Sequence, residues 1–284
     1  MAPTHRPSGS TALPLPVSDP ADYAAQCERL VRAVRDAGER ARRYIGGPLK
    51  TWTKGEGDSP VTEADIAANE ILHERLMDGS PGYGWLSEES ENDPARLAAR
   101  RIWVVDPIDG TRAYIAGRQD WSVSAALVEE GRPVAAALFA PMTEELFTAT
   151  LGGGATVNGT ALRATGGGSV AGARVGGPKR MMERLAAQHP GLSIMPRIHS
   201  LALRLARVAH GELDAAIAGG NAHDWDLAAA DLLVHEAGGT VTTLDGRPLI
   251  YNRPVPVHGM LIAAGRERHQ AFVEMLRADA GSPV

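Results

Sequence analysis

Residues 104 to 111 read VVDPIDGT. An apolar run ends in Asp106, Pro107 fixes the backbone, and Asp109 follows with Gly110 and Thr111 directly behind it. A strand that meets charge has commonly reached the surface, so a strand end and a turn is one reading. The other is chemical. Asp106 and Asp109 can turn toward one point with the carbonyl of Ile108 between them, an all-oxygen set suited to a hard cation such as Mg²⁺. Backbone N–H groups at a glycine turn offer an anion-binding concavity, and the Thr111 hydroxyl can exchange a proton with a nearby water. Carboxylates, a phosphate nest and a hydroxyl so close together point to metal-assisted hydrolysis of a phosphate ester.

Three further segments carry acids that each have a structural explanation when taken alone. Thr62 and Asp65 in SPVTEAD have the spacing of a capping box. Glu88 and Glu89 in WLSEES open an acidic cluster that continues to Glu91 and Asp93, the pattern of a solvated loop. Asp224 or Asp226 in HDWDLAAAD can cap the helix that follows. Strand ends and helix starts are also where a two-lobed fold converges side chains on one cleft.

The elements that must position these acids can be read from periodicity. Asp19 and Pro20 open a helix whose face carries Tyr23, Cys27, Leu30, Val31 and Val34. A second helix is expected from Val61 to about Asp78. The runs RIWVVD, WSVSAALVEE, RPVAAALFAP and ELFTATL read as neighbouring strands, and Asn158-Gly159 signals a hairpin turn. Beyond the glycine-rich TGGGSVAGA, strand and helix patterns alternate: strand 173–176, helices 179–188 and 200–209, strand 213–218, helix 224–237, strands 240–243 and 260–264, and a closing helix. The expected division is a disordered tail over 1–18, an α+β metal-binding lobe over 19–163 and an α/β lobe over 164–284.

The chain has 284 residues, 44% of them apolar and only 5% aromatic, so its core must be mainly Ala, Val, Leu and Ile. A net charge of -5 without a block of either sign argues against a nucleic-acid polymer or an anionic membrane as partner. Cys27 is the single cysteine, which excludes an internal disulfide and a cysteine-rich zinc site and suits a reducing compartment. The opening residues lack the apolar core of a signal peptide, and no run approaches the roughly 20 apolar residues that span a bilayer, so a cytoplasmic protein is expected.

VVDPIDGT, the upstream SPVTEAD and LSEES and the downstream WDLAAADLLVHEAGG together resemble the inositol monophosphatase superfamily of Mg²⁺-dependent, lithium-sensitive phosphatases, in the family's order and across residues 59 to 239. The resemblance implies that Glu88, Asp106 and the carbonyl of Ile108 hold one Mg²⁺, that Asp106, Asp109 and Asp226 hold a second, and that a third ion sits near Glu88 and Asp65 through waters. It implies that Asp65 and Thr111 orient and deprotonate the attacking water beside Glu88, that the amides of Gly110 and Thr111 bind the phosphate, and that Arg112 and Asp226 face the substrate. Glu89 would support Glu88 from behind. The implied fold is a layered α/β/α/β/α sandwich, the sugar phosphatase fold, with the site between two lobes. A homodimer and a small phosphorylated metabolite as substrate follow as expectations.

Within the superfamily, DSPVTEADIAAN, GRQDWSVSAALVE and DGRPLIYNRP are similar to the 3'(2'),5'-bisphosphate nucleotidase branch, which removes the 3'-phosphate of 3'-phosphoadenosine 5'-phosphate. Inositol phosphatases proper tend to carry an acid seven positions before the WD aspartate, where Gly219 stands here. Arg112 can pair with a second phosphate or form a surface ion pair. Histidinol-phosphate phosphatases also carry Arg there, so histidinol phosphate and inositol 1-phosphate stay open as substrates. A catalytically silent, metal-binding interaction protein is the reading of a different class, and retention of every acid with Thr111 argues against it. His223 either touches substrate or is an exposed loop residue; His235 is expected to be structural, and Trp103, Trp121 and Trp225 to pack the lobes.

Overall fold

Asp19 accepts a hydrogen bond from the Ala21 amide ahead of Pro20, and this cap starts the first helix at the expected place. A computed structural model describes residues 19–54 and 59–281; the tail expected over 1–18 lies outside the described residues. Among the described residues the elements run α1 (Pro20–Arg42), β1 (Thr51–Lys54), β2 (Ser59–Thr62), α2 (Glu63–Met77), β3 (Gly84–Ser87), a 3-10 turn (Pro94–Ala98), β4 (Arg101–Asp109), α3 (Thr111–Ile115), β5 (Ser122–Glu129), β6 (Arg132–Ala140), β7 (Glu145–Thr150), β8 (Gly154–Val157) and β9 (Thr160–Ala161). There follow β10 (Arg174–Gly176), α4 (Lys179–Gln188), β11 (Ser193–Ile194), α5 (Leu201–Ala209), β12 (Ala215–Ala218), β13 (Ala222–His223), α6 (Asp224–Glu236), β14 (Gly239–Thr243), β15 (Val257–His258), β16 (Leu261–Gly265) and α7 (Arg266–Gly281).

The larger sheet keeps chain order from β3 to β9, and its members from β4 onward pair antiparallel as the hairpin signals require. Asn158 and Gly159 both adopt positive φ at the β8–β9 turn, which is why that dipeptide closes it. The second sheet has the order β11-β10-β12-β16-β14, mixing parallel and antiparallel pairs.

Alternation along β4 explains the layering. Trp103 and Val105 point to one core with Leu30, Val34 and Leu72 of α1 and α2, while Ile102 and Val104 point to another with Leu205 of α5 and Leu227 of α6. A third core sets Val175, Ile217 and Ile262 against Met182 of α4 and Phe272 of α7. The result is helices, sheet, helices, sheet, helices, the expected five-layer sandwich. Both faces of the strands are covered, so β5 reads as an unbroken buried run.

Helix α6 lies in the middle layer. Ala228, Ala229 and Ala230 are buried there, and their small side chains let the two sheets approach the same helix.

One local expectation is corrected. Val61 does not begin a helix: Ser59–Thr62 pairs antiparallel with Thr51–Lys54, and the helix starts at Glu63, after Thr62 has capped it. Pro60 and two β-branched residues suit a short strand, and the partner strand lies across residues that the periodicity of α2 does not register. His235, expected to be structural, is exposed near the end of α6.

Candidate active site

Each acid sits where an element begins or ends, and backbone geometry aims it. In β4 the pairing with β5 is regular to Asp106 and shifts before Asp109, so the strand is distorted over Pro107 and Ile108. Asp106 Oδ1 accepts the Ile108 amide at 3.0 Å, which folds the carboxylate back over the distortion. Gly110 follows with φ of 96°, and a Cβ on it would meet the Ser200 nitrogen at 3.1 Å and the Asp120 carbonyl at 3.2 Å. Glycine is required here by both torsion and space.

Asp65 forms the capping box that its spacing suggests, with its Oδ2 accepting from the Thr62 amide at 2.7 Å and the Thr62 hydroxyl at 2.6 Å. Its other oxygen is 3.4 Å from the Thr111 hydroxyl, which lies 3.1 Å from the Ile108 carbonyl. The structural and chemical readings of Asp65 therefore coexist, one on each oxygen. Asp226 is similar: it is the third residue of α6, it accepts the His223 amide at 2.6 Å, and it turns toward Asp106 and Asp109.

Carboxylate oxygens of Asp106, Asp109 and Asp226 all lie within 4.8 Å of one another. Asp106 is 1% exposed and Asp109 6%, so the group is largely out of water. Burial, then the charges of Glu88, Asp109 and Asp226, hold the Asp106 carboxyl well above the ordinary range. Burial and then Asp109 do the same to Asp226. For Asp109 burial outweighs the opposing hydrogen bonds from α5, and its pKa too is raised. Burial lifts Asp65 to about 6 and, with help from Glu89, Glu88 to about 7. Three mutually repelling buried carboxylates are the donor set of a divalent ion, whose charge reverses this cost. The residues present therefore fit a metal.

Glu88 lies outside the group of three but close enough for its charge to act on Asp106 and Asp226. Neighbouring Glu89 is buried and ion-paired with Lys54, whose Nζ also donates to the Glu88 carbonyl at 2.7 Å. The acidic cluster of WLSEES is thus anchored at its start rather than solvated throughout. Arg112 is exposed on the first turn of α3. His223 is half-buried and stacks on Trp225 with ring centroids 4.4 Å apart and planes 4° from parallel, so it is more ordered than an exposed loop residue. Trp103 and Trp121 are core residues as expected. Asp224 points away from the cluster, accepting from the Asn252 amide and pairing with His258, both at 2.7 Å.

Sequence reasoning placed the start of α5 but missed its contact with the acids. The Ser200 hydroxyl donates to Asp109 Oδ2 at 2.6 Å, the Ala202 amide donates to the same oxygen at 2.6 Å, and the Leu201 amide reaches Oδ1 at 3.1 Å. A carboxylate at a helix N-terminus is favoured by unpaired amides and by the helix dipole. Arg204, one turn on, is buried, and burial lowers its pKa to about 10 although Asp109 nearby favours its charge. Ser200 was legible as a helix start, but nothing local ties it to an acid 91 residues earlier.

The sequence profile of the inositol monophosphatase family matches residues 24–279. The inositol-1-monophosphatase of Rhizobium meliloti is 36% identical over 228 residues, covering 76% of this chain and 85% of that protein. The 3'(2'),5'-bisphosphate nucleotidase CysQ of Aggregatibacter actinomycetemcomitans is 30% identical, covering 79% and 86%. The crystal structure of the extragenic suppressor protein suhB from Bartonella henselae superposes with a TM-score of 0.77 at 28% identity, over 92% of this chain and all of that one. Among the described residues no helix is long and apolar enough to cross a membrane. Sequence and fold agree over nearly the whole chain: it belongs to the inositol monophosphatase family, whose members are metal-dependent phosphomonoesterases acting on small phosphorylated substrates.

Proposed function

We propose that the chain hydrolyses a small phosphate ester that bears a second anionic group, as a nucleoside 3',5'-bisphosphate does. The observation that carries the hydrolytic reading is the convergence of Asp106, Asp109 and Asp226 within 4.8 Å, beside a threonine hydroxyl and a fourth acid, the buried Asp65. Asp106, Asp109 and Asp226, with Glu88 and the Ile108 carbonyl, are the residues that would hold two to three Mg²⁺ ions. When bound, such ions supply positive charge to the ester's leaving oxygen and acidify water.

The chain's own groups do the rest. Thr111, between Asp65 and the Ile108 carbonyl, orients the attacking water and passes its proton toward Asp65. Burial holds the carboxyl of Asp65 near 6, so it is a stronger base than an exposed aspartate while still largely ionised at neutral pH. The amides of Gly110 and Thr111 turn with the tight backbone at the start of α3 and receive phosphate oxygens. Ser200 and the α5 amides fix Asp109 in one orientation, so the site is organised before substrate arrives.

For substrate choice, Arg112 beside the phosphate nest favours a second anion, and Gly219 removes the acid expected to meet inositol hydroxyls. Inositol 1-phosphate is the alternative, supported by the 36% identity to the Rhizobium enzyme. Phosphate release from 3'-phosphoadenosine 5'-phosphate, inositol 1-phosphate and histidinol phosphate, with Mg²⁺ and with or without Li⁺, tests the reading. Preference for the bisphosphate with inhibition by Li⁺ supports it. Preference for inositol 1-phosphate selects the alternative, and inactivity on all three selects a silent interaction protein.

A further inference from the structure

A cavity of about 290 Å³, lined by none of the clustered acids, lies between the second half of α6, β14, the start of β6 and the segment before Tyr251. Leu151, Leu232, Val241 and Leu249 line it as an apolar wall. Two arginines from distant parts of the chain line it, Arg132 at the first position of β6 and Arg266 at the first position of α7. Neither forms an ion pair or side-chain hydrogen bond among the described residues. Two guanidinium groups beside apolar walls make a poor structural device and a good receptor for an anion.

The third polar feature is Asp231. Its Oδ2 accepts the Tyr251 hydroxyl at 2.8 Å, and its Oδ1 has no protein partner among the described residues. Burial lifts its carboxyl to about 6, as expected where water is scarce. An oxygen so placed can accept one O–H or N–H from a ligand. A mostly apolar pocket with a few convergent polar groups is the usual form of a small-molecule site.

We propose that this cavity binds a small molecule with a flat apolar body, an anionic group held by Arg132 and Arg266, and a hydrogen-bond donor directed at Asp231. The site is separate from the acidic cluster: Asp231 lies five residues beyond Asp226 on α6, about 7.5 Å along the axis at 1.5 Å per residue.

The probe is 6-hydroxynaphthalene-2-sulfonate, which carries all three features, is fluorescent and has no ester for a phosphatase to cleave. Titrated into the Mg²⁺-loaded full chain, it should bind saturably at one site. The Arg132→Gln/Arg266→Gln double variant should bind it about tenfold more weakly or worse, the loss expected for a charge-assisted hydrogen bond. That variant should melt at the parent temperature and keep its phosphatase activity. 2-Naphthol, which lacks the sulfonate, should show a similar loss against the parent. Absence of saturable binding at millimolar probe, or unchanged binding in the double variant, would each overturn the assignment.

Discussion

At the scale of single residues, Asp65 has two tasks, divided between its oxygens. Asp65 caps α2 with one oxygen and faces Thr111 with the other, so its replacement touches both stability and chemistry. Thr111 has no comparable structural duty, and Thr111→Ala should lower turnover by about 10²–10⁴-fold, the range for a lost proton-transfer group, with little change in melting temperature. Steady-state kinetics beside a thermal melt separates the two effects. Gly110→Ala is the opposite case. With φ of 96° and the Ser200 and Asp120 backbones close by, it should destabilise by about 1–3 kcal/mol in urea denaturation as well as lose activity. The chemistry of these positions was legible because Asp106, Asp109, Gly110 and Thr111 fall in one short stretch of the chain. The part of Ser200 was not, because its hydrogen bond to Asp109 depends on how α5 docks, and no local periodicity encodes docking.

At the scale of elements, the start of α5 is where packing and chemistry meet. Ser200 caps its own helix through the Leu203 amide, touches Ser122 on β5 at 2.9 Å, and donates to Asp109. Ser200→Ala should therefore cost about 0.5–2 kcal/mol as a lost cap and also weaken metal affinity, read by calorimetric titration of Mg²⁺. A structural cap alone would leave that affinity unmoved. Most elements could be placed from the sequence to within a residue or two, since β5, β6 and α6 carry runs long enough for one period to dominate. The short pairs could not. Ala222–His223 against Val257–His258, and Ser193–Ile194 beside β10, are two residues long, and their pairing is set by the tertiary fold around them.

At the scale of the whole molecule, the clustered carboxylates set the stability of the metal-free protein. Buried, mutually repelling acids cost folding energy, so Asp106→Asn should abolish activity while raising the melting temperature of chelated protein. The parent should gain stability with added Mg²⁺, about 2.7 kcal/mol at a hundredfold excess over Kd, whereas this variant should gain less. Scanning calorimetry with and without chelator checks both. The pH response has a different origin. Against the effect of burial, Arg174 and then the Thr165 hydroxyl, which donates at 2.7 Å, hold the Asp214 carboxyl far below the usual range, and Arg268 pairs with it as well. Because its folded pKa is depressed, the stabilisation is fully present above about pH 4, the ordinary carboxyl value, and is lost as pH falls toward the folded pKa. Asp214→Asn should lower the melting temperature at pH 7 and flatten its decline in acid.

The placement of α6 gives the molecule a built-in gauge. Its first turn carries Asp226 of the acidic cluster and its next two turns are wedged, by three alanines, between both sheets. A methionine or leucine in place of Ala229 would prise those layers apart and tilt Asp226 by a fraction of an ångström, a shift that oxygen ligands of a small hard cation register before any global probe does. Homologous chains with bulkier side chains at this point would have to recess the opposing strands, so the volume of three methyl groups constrains how far this scaffold can drift without pulling Asp226 from the other two acids.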